Sequence, residues 1–132
     1  MRWPSRQIER RQEIIDELKQ TYSFVIDLTH FEDHGIALEG TGALIFDRAG
    51  RKIFMSRSDR SNEFVLDVLI SQLNDIRGSR PEWEKVCFDG VHGNGNPIYH
   101  TNVILGLTPS MASIATHTIP DAGEKQQVTG AL

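Results

Sequence analysis

Apolar residues recur along the chain with two periods, and the switches between them outline its elements. Ile8, Ile14, Ile15 and Leu18 share one helical stripe behind Ser5, a residue suited to cap a helix start, so a helix is predicted over residues 5–20. Phe24-Val25-Ile26-Asp27-Leu28 reads as a strand, and residues 30–35 are polar and turn-like. Residues 40–47 and 51–56 predict a hairpin around Asp47-Arg48-Ala49-Gly50, with Gly50 expected at positive φ. Ser61 or Asn62 then caps a helix whose apolar face runs through Phe64, Val65, Val68, Leu69, Gln72 and Leu73 and which ends near Gly78. Residues 84–88 predict a short strand, and residues 90–97 a loop rich in Gly and Asn. A second hairpin follows over residues 102–107 and 111–118, turning at Thr108-Pro109-Ser110, and Pro120-Asp121 opens a last helix that runs to Leu132.

The two hairpins resemble each other at a fixed offset. Thr101 lies 60 residues after Thr41; at the same offset Ala43-Leu44-Ile45 aligns with Val103-Ile104-Leu105, and Phe54-Met55-Ser56 with Ile114-Ala115-Thr116. The middle of the chain is then one complete ββαβ unit over residues 36–90. Residues 1–29 read as the end of a preceding unit and residues 97–132 as the start of the next. Units of this kind bury their apolar faces only against neighbours. The order of elements therefore implies an α/β repeat protein of which this chain is a part, or a truncated relative of one. The competing expectation is a small α+β domain whose hairpins match by chance.

Bulk properties narrow the function. The chain has 132 residues, 39% hydrophobic and 24% charged, within the range of one globular domain. Its net charge of -4 argues against nucleic acid as a partner, because phosphate binding leans on clustered Lys and Arg. The one basic cluster, Arg6, Arg10 and Arg11, is interleaved with Glu9 and Glu13 and reads as a solvated helix face. A single cysteine, Cys87, leaves no intrachain disulfide. No apolar run approaches the roughly 18–20 residues that span a bilayer, and the first residues lack the apolar core of a secretory signal, so no membrane partner and a cytoplasmic location are expected.

Glu39 and His100 stand near corresponding places in the two units, each at the mouth of a strand. A carboxylate that orients an imidazole is part of an acid–base device. Arg60, in Ser58-Asp59-Arg60-Ser61-Asn62, sits between a strand and a helix, where a guanidinium can grip a carboxylate with both nitrogens. His30 and His34 have the spacing of a helical metal pair, but their segment reads as a loop, and no metal is expected. The glycines of residues 90–96 lack the Lys-Ser/Thr of a phosphate loop. Cys87, between Val86 and Phe88 in a short apolar strand, reads as a buried, inert thiol.

Leu38-Glu39-Gly40-Thr41-Gly42, Ser58-Asp59-Arg60-Ser61-Asn62 and Pro97-Ile98-Tyr99-His100-Thr101-Asn102-Val103 resemble successive motifs of the arginine deiminase, dimethylarginine dimethylaminohydrolase and amidinotransferase superfamily. The closest likeness is to the branch that holds bacterial citrulline-utilisation hydrolases. Arg6-Gln7-Ile8-Glu9-Arg10-Arg11 resembles the segment that precedes the Glu motif there, so the likeness covers nearly the whole chain. The resemblance implies a five-bladed α/β propeller of ββαβ units, with about two of the five blades present here. It implies cleavage or transfer at the C–N bonds of guanidino or citrulline-like compounds by a cysteine thiolate, a histidine and a glutamate, without a cofactor.

On that likeness Glu39 and His100 are the catalytic glutamate and histidine, and Arg60 pairs with a substrate carboxylate. Asn102 stands where many relatives carry an Asp that holds the guanidinium nitrogens. The family's nucleophilic cysteine has no counterpart here, because Cys87 lies between the Glu and His motifs. The expectation is a chain inactive alone, whose partner is a guanidino or ureido amino acid and whose cut repeats expose strand edges that favour self-association. The alternative is a non-catalytic remnant of the same fold that binds a ligand or another protein.

Overall fold

The computed structural model describes residues 1–77 and 81–132. The expected helix end at Gly78 lies outside the described residues. The helices are α1 (Pro4–Gln7), α2 (Gln12–Thr21), α3 (Gly40–Ala43), α4 (Glu63–Arg77) and α5 (Ala122–Ala131). The strands are β1 (Leu44–Asp47), β2 (Lys52–Ser56), β3 (Glu84–Phe88), β4 (Leu105–Leu107) and β5 (Ala112–Ile114). The result is a small mixed α/β structure with one three-stranded and one two-stranded sheet.

In the first sheet β2 is central. It runs antiparallel to β1 and parallel to β3, with Ile45 opposite Phe54 and Phe54 opposite Val86. Successive side chains of a strand point to opposite faces, and β2 buries both. Ile53 and Met55 join Leu44, Leu66, Trp83 and Cys87 in a core beneath α4. Phe54 faces the other way, into a core with Val86, Phe88, Ile98, Ile104, Leu105, Ile119 and Val128. Full burial of Phe54 and Phe88 contributes about 1.5–3 kcal/mol each. That second core holds the two hairpins together.

The hairpins are copies in register as well as in sequence. Ile45 opposite Phe54 in the first becomes Leu105 opposite Ile114 in the second, the same pairing moved by the 60-residue offset. Each is entered through a helical turn, α3 in the first and the 3₁₀ turn Thr101–Val103 in the second. These turns replace the strand starts expected at residues 40 and 102. The Glu39 carbonyl accepts the Ala43 amide at 3.0 Å and closes the turn.

Three further expectations change. The first helix is broken between Gln7 and Gln12, and its stripe stays in water: Ile8 is 82% exposed, and Ile14 and Leu18 are exposed. Residues 24–28 form no strand, and Phe24 and Val25 are exposed. A strand needs a neighbour for its backbone groups, and residues 24–28 pair with none among the described residues. At the first hairpin turn the left-handed residue is Arg51, at φ 57°, not Gly50. At Gly50 the Asp47 carboxylate lies where a Cβ would stand and accepts the amides of Ala49 and Gly50 at 3.0 and 2.9 Å, so a larger residue there would have to turn Asp47 aside. On α4, Phe64 leaves the expected apolar face and is exposed, while Val65 and Leu66 are buried and Asn62 Oδ1 accepts the Val65 amide.

Candidate active site

The two entry turns, α3 and Thr101–Val103, pack against each other and bring their motifs together. Thr101, wholly buried, donates its hydroxyl to the Ala43 carbonyl in α3 and accepts the Ser56 amide of β2 at 2.8 Å. The neighbouring Ser56 hydroxyl accepts the Gly90 amide at 3.1 Å and reaches the Ile98 carbonyl. These bonds satisfy buried backbone groups of both units, each of which would cost about 1–3 kcal/mol if left unpaired. They also fix the residue before Thr101, which is His100.

Glu39 starts α3, with its own amide bonded to the Arg60 carbonyl at 3.0 Å. Its carboxylate is 14% exposed. One oxygen accepts the Arg2 amide at 3.0 Å; the other lies 3.3 Å from His100 Nε2 and 3.7 Å from Arg60 Nη1. Burial pushes the Glu39 carboxyl up, but the Arg2 amide, the His100 hydrogen bond and the charge of Arg60 outweigh it, so the group sits below the usual carboxylate range. An ionised carboxylate only accepts, so Nε2 carries the proton of the Glu39–His100 bond. His100 Nδ1 lies over Gly42: a Cβ at Gly42 would stand 2.6 Å from it. Only glycine permits that approach.

Tyr99 links the imidazole to the guanidinium. Its ring meets His100 edge-on at 4.7 Å, and the Arg60 guanidinium carbon lies 4.2 Å from its centroid on the other contact. Ser58 supports the arrangement, its hydroxyl accepting the Arg60 amide and lying 3.2 Å from the Tyr99 carbonyl. Glu39, Arg60 and His100 are therefore assembled as one cluster. Asn102 stands apart, exposed on the 3₁₀ turn.

Beside the cluster is a cleft of about 440 Å³, walled by Glu39, Gly42 and His100 on one side and by Ile26, Leu28 and Glu32 on another. Arg60 and Asn102 are not part of its wall. Glu32 is held by Arg10 at 2.6 Å and by the amino group of Met1. Cys87 lies in the core beneath α4; burial first, and the Glu63 carboxylate after it, push its thiol up to about 12. His30 and His34 are exposed on the 3₁₀ helix Thr29–His34, which replaces the expected loop. Among the described residues no group of three or more His, Cys, Asp or Glu side chains is placed to hold a metal, and no helix is long and apolar enough to cross a membrane.

The sequence singled out Glu39, His100 and Arg60, which the structure brings together, but not Tyr99, Gly42 or the Arg2 amide, which contact them. Tyr99 adjoins His100, and its aromatic ring beside a candidate base was a usable signal. The space at Gly42 leaves no mark in a sequence.

A family model described as N,N dimethylarginine dimethylhydrolase, eukaryotic, matches residues 1–132. Neither the curated proteins nor the solved structures provide a match.

Proposed function

The chain belongs to the eukaryotic N,N dimethylarginine dimethylhydrolase family, within the arginine deiminase, dimethylarginine dimethylaminohydrolase and amidinotransferase superfamily, and from this we propose how its charged cluster is used. The chain is part of a Cys-His-Glu hydrolase that acts on a guanidino or ureido amino acid. Its ββαβ units, one complete over residues 36–90 and two partial over 1–29 and 97–132, are about two of five propeller blades. The observation that carries the reading is the 3.3 Å contact between Glu39 and His100, made by two motifs 61 positions apart.

A guanidinium carbon is a poor electrophile, and its amine leaves only when protonated. His100 supplies that proton and later takes one from water, a role worth about 10²–10⁴ in rate. Glu39, held ionised, fixes the imidazole through Nε2 and stabilises the imidazolium that forms. That leaves Nδ1, which packs against Gly42, as the nitrogen that exchanges the proton. Arg60, steadied over Tyr99, receives the substrate carboxylate. Asn102, exposed on its turn and outside the cleft wall, is given no part in this step.

The nucleophile is the part this chain does not supply. A thiol pushed up to about 12 is protonated at neutral pH and does not attack. The chain alone should release no ammonia or amine from arginine, citrulline or methylated arginines. Turnover that disappears in Cys87→Ala would overturn this. Joined to flanking coding sequence that carries a cysteine, the chain should turn over, and Glu39→Gln and His100→Asn should each abolish it. Undiminished activity in either variant would remove the cluster from the mechanism.

A further inference from the structure

Arg60 is the least committed charge of the cluster. A guanidinium carries five donors, yet among the described residues that of Arg60 makes no hydrogen bond. It rests on the Tyr99 ring at 4.2 Å, and its Nη1 lies 3.7 Å from Glu39, beyond hydrogen-bond range. The Glu39 oxygen that it approaches is the one that meets His100 Nε2 at 3.3 Å. One oxygen therefore faces two cations whenever His100 is protonated. Arg60 also stands outside the wall of the cleft that Glu39 and His100 line. To meet a ligand there, its guanidinium has to turn away from Glu39. The Tyr99 ring lets it turn, because attraction to a ring face fixes no hydrogen-bond direction.

Given the proposed reading of the site, on which this step rests, we propose that Arg60 exchanges Glu39 for the substrate carboxylate, and that this exchange favours the charged form of His100 only when a carboxylate-bearing substrate is bound. With Arg60 beside Glu39, an imidazolium at His100 shares its counter-ion with a second cation. With Arg60 on a substrate carboxylate, the guanidinium is neutralised and the whole Glu39 charge serves the imidazolium. The proton that the leaving amine needs is thus loaded from the other end of the substrate. By linkage the effect is reciprocal: a protonated His100 favours the release of Arg60 and the binding of the carboxylate by the same factor. A guanidino or ureido compound without a carboxylate enters the cleft and finds His100 charged less often.

The other charged groups around the cleft already have partners. Glu32 holds Arg10 and the Met1 amino group, and Arg6 pairs with Glu9 at 3.1 Å. Tyr99 meets the imidazole with its ring edge. Among the described residues, Arg60 is the cation placed to change partner next to His100.

Carbon-13 NMR of the His100 ring in the 132-residue chain, at one fixed pH, reads the ratio of protonated to neutral imidazole. Without ligand, Arg60→Met should raise that ratio about three- to tenfold. Arg60→Lys, which keeps the charge, should leave it near wild type. Citrulline should raise the ratio in wild type by a similar factor and leave it unmoved in Arg60→Met. The analogue of citrulline that lacks the carboxylate should move it in neither. An unchanged ratio in ligand-free Arg60→Met overturns the proposal, as does a wild-type ratio that citrulline and its analogue raise equally or not at all. A rise in Arg60→Lys as large as in Arg60→Met would assign the effect to packing on Tyr99 and overturn it too. Failure of the hydrolase reading shows elsewhere, in undiminished turnover by Glu39→Gln or His100→Asn of the joined chain, and the ligand-free comparison of Arg60 variants does not depend on it.

Discussion

The first hairpin, β1–β2, and the second, β4–β5, pair in the same register, yet their second strands live in different surroundings. In β2 every residue after Lys52 is buried, whereas in β5 Ala112 and Ser113 are exposed and Ile114 is half-buried. Pairing within the hairpin is common to both. The difference is the neighbour: β2 has β3 at its other edge and α4 above it, and β5 has no third strand among the described residues. Corresponding positions should therefore differ in energetic weight although they match in sequence and register.

Phe54 and Ile114 are the sharpest pair. Phe54→Ala should destabilise by about 3–5 kcal/mol, and Ile114→Ala by roughly half of that or less, read from urea unfolding midpoints. Equal losses would mean that the second hairpin is as enclosed as the first. Thr101 and Thr41 come next. Thr101→Val removes an acceptor from Ser56 and a donor from Ala43 and should cost about 2–3 kcal/mol. Thr41→Val, on an exposed residue, should stay within about 0.5 kcal/mol of wild type.

Gly42 and Asn102 also correspond by the offset. Gly42→Ala places a methyl against His100 and should cost about 1–3 kcal/mol, while displacing the His100 ring resonances in an NMR spectrum. Asn102→Ala should move neither stability nor those resonances. The smallest effect is that of pH. The folded Glu39 carboxyl lies below its ordinary value of 4.5, so its contribution is fully present above that value and is lost as pH falls through the depressed one. Unfolding midpoints of Glu39→Gln should thus lose less between neutral pH and pH values below 4.5 than those of wild type. A parallel decline would deny Glu39 its part in the cluster.

The sequence exposed the repeat well, because an offset between apolar triplets reports which residues face a common core. Glu39 and His100 were legible through that repeat, and Arg60 through its place between strand and helix. What failed was everything that depends on a neighbour. Residues 24–28 have the composition of a strand and do not form one, since composition supplies side chains but no hydrogen-bonding partner. The stripe of Ile8, Ile14 and Leu18 has the right period yet is left exposed. Gly40 to Ala43 wound into a turn because the Glu39 carbonyl captured the Ala43 amide, a local bond that apolar spacing does not foretell. Tyr99 escaped because its partners, Arg60 and His100, meet it only after the two turns have packed.

The double commitment of β2 governs which changes in length the chain tolerates. Its alternate side chains belong to different cores, so inserting or deleting one residue would send Phe54 beneath α4 and Ile53 or Met55 into the junction between hairpins. Such an indel would disrupt both cores in a single step. At the tip of the second hairpin, Thr108-Pro109-Ser110 is exposed, and an extra residue there has no core to disturb. Length variation in relatives of this chain should therefore gather at residues 108–110 and avoid residues 52–56.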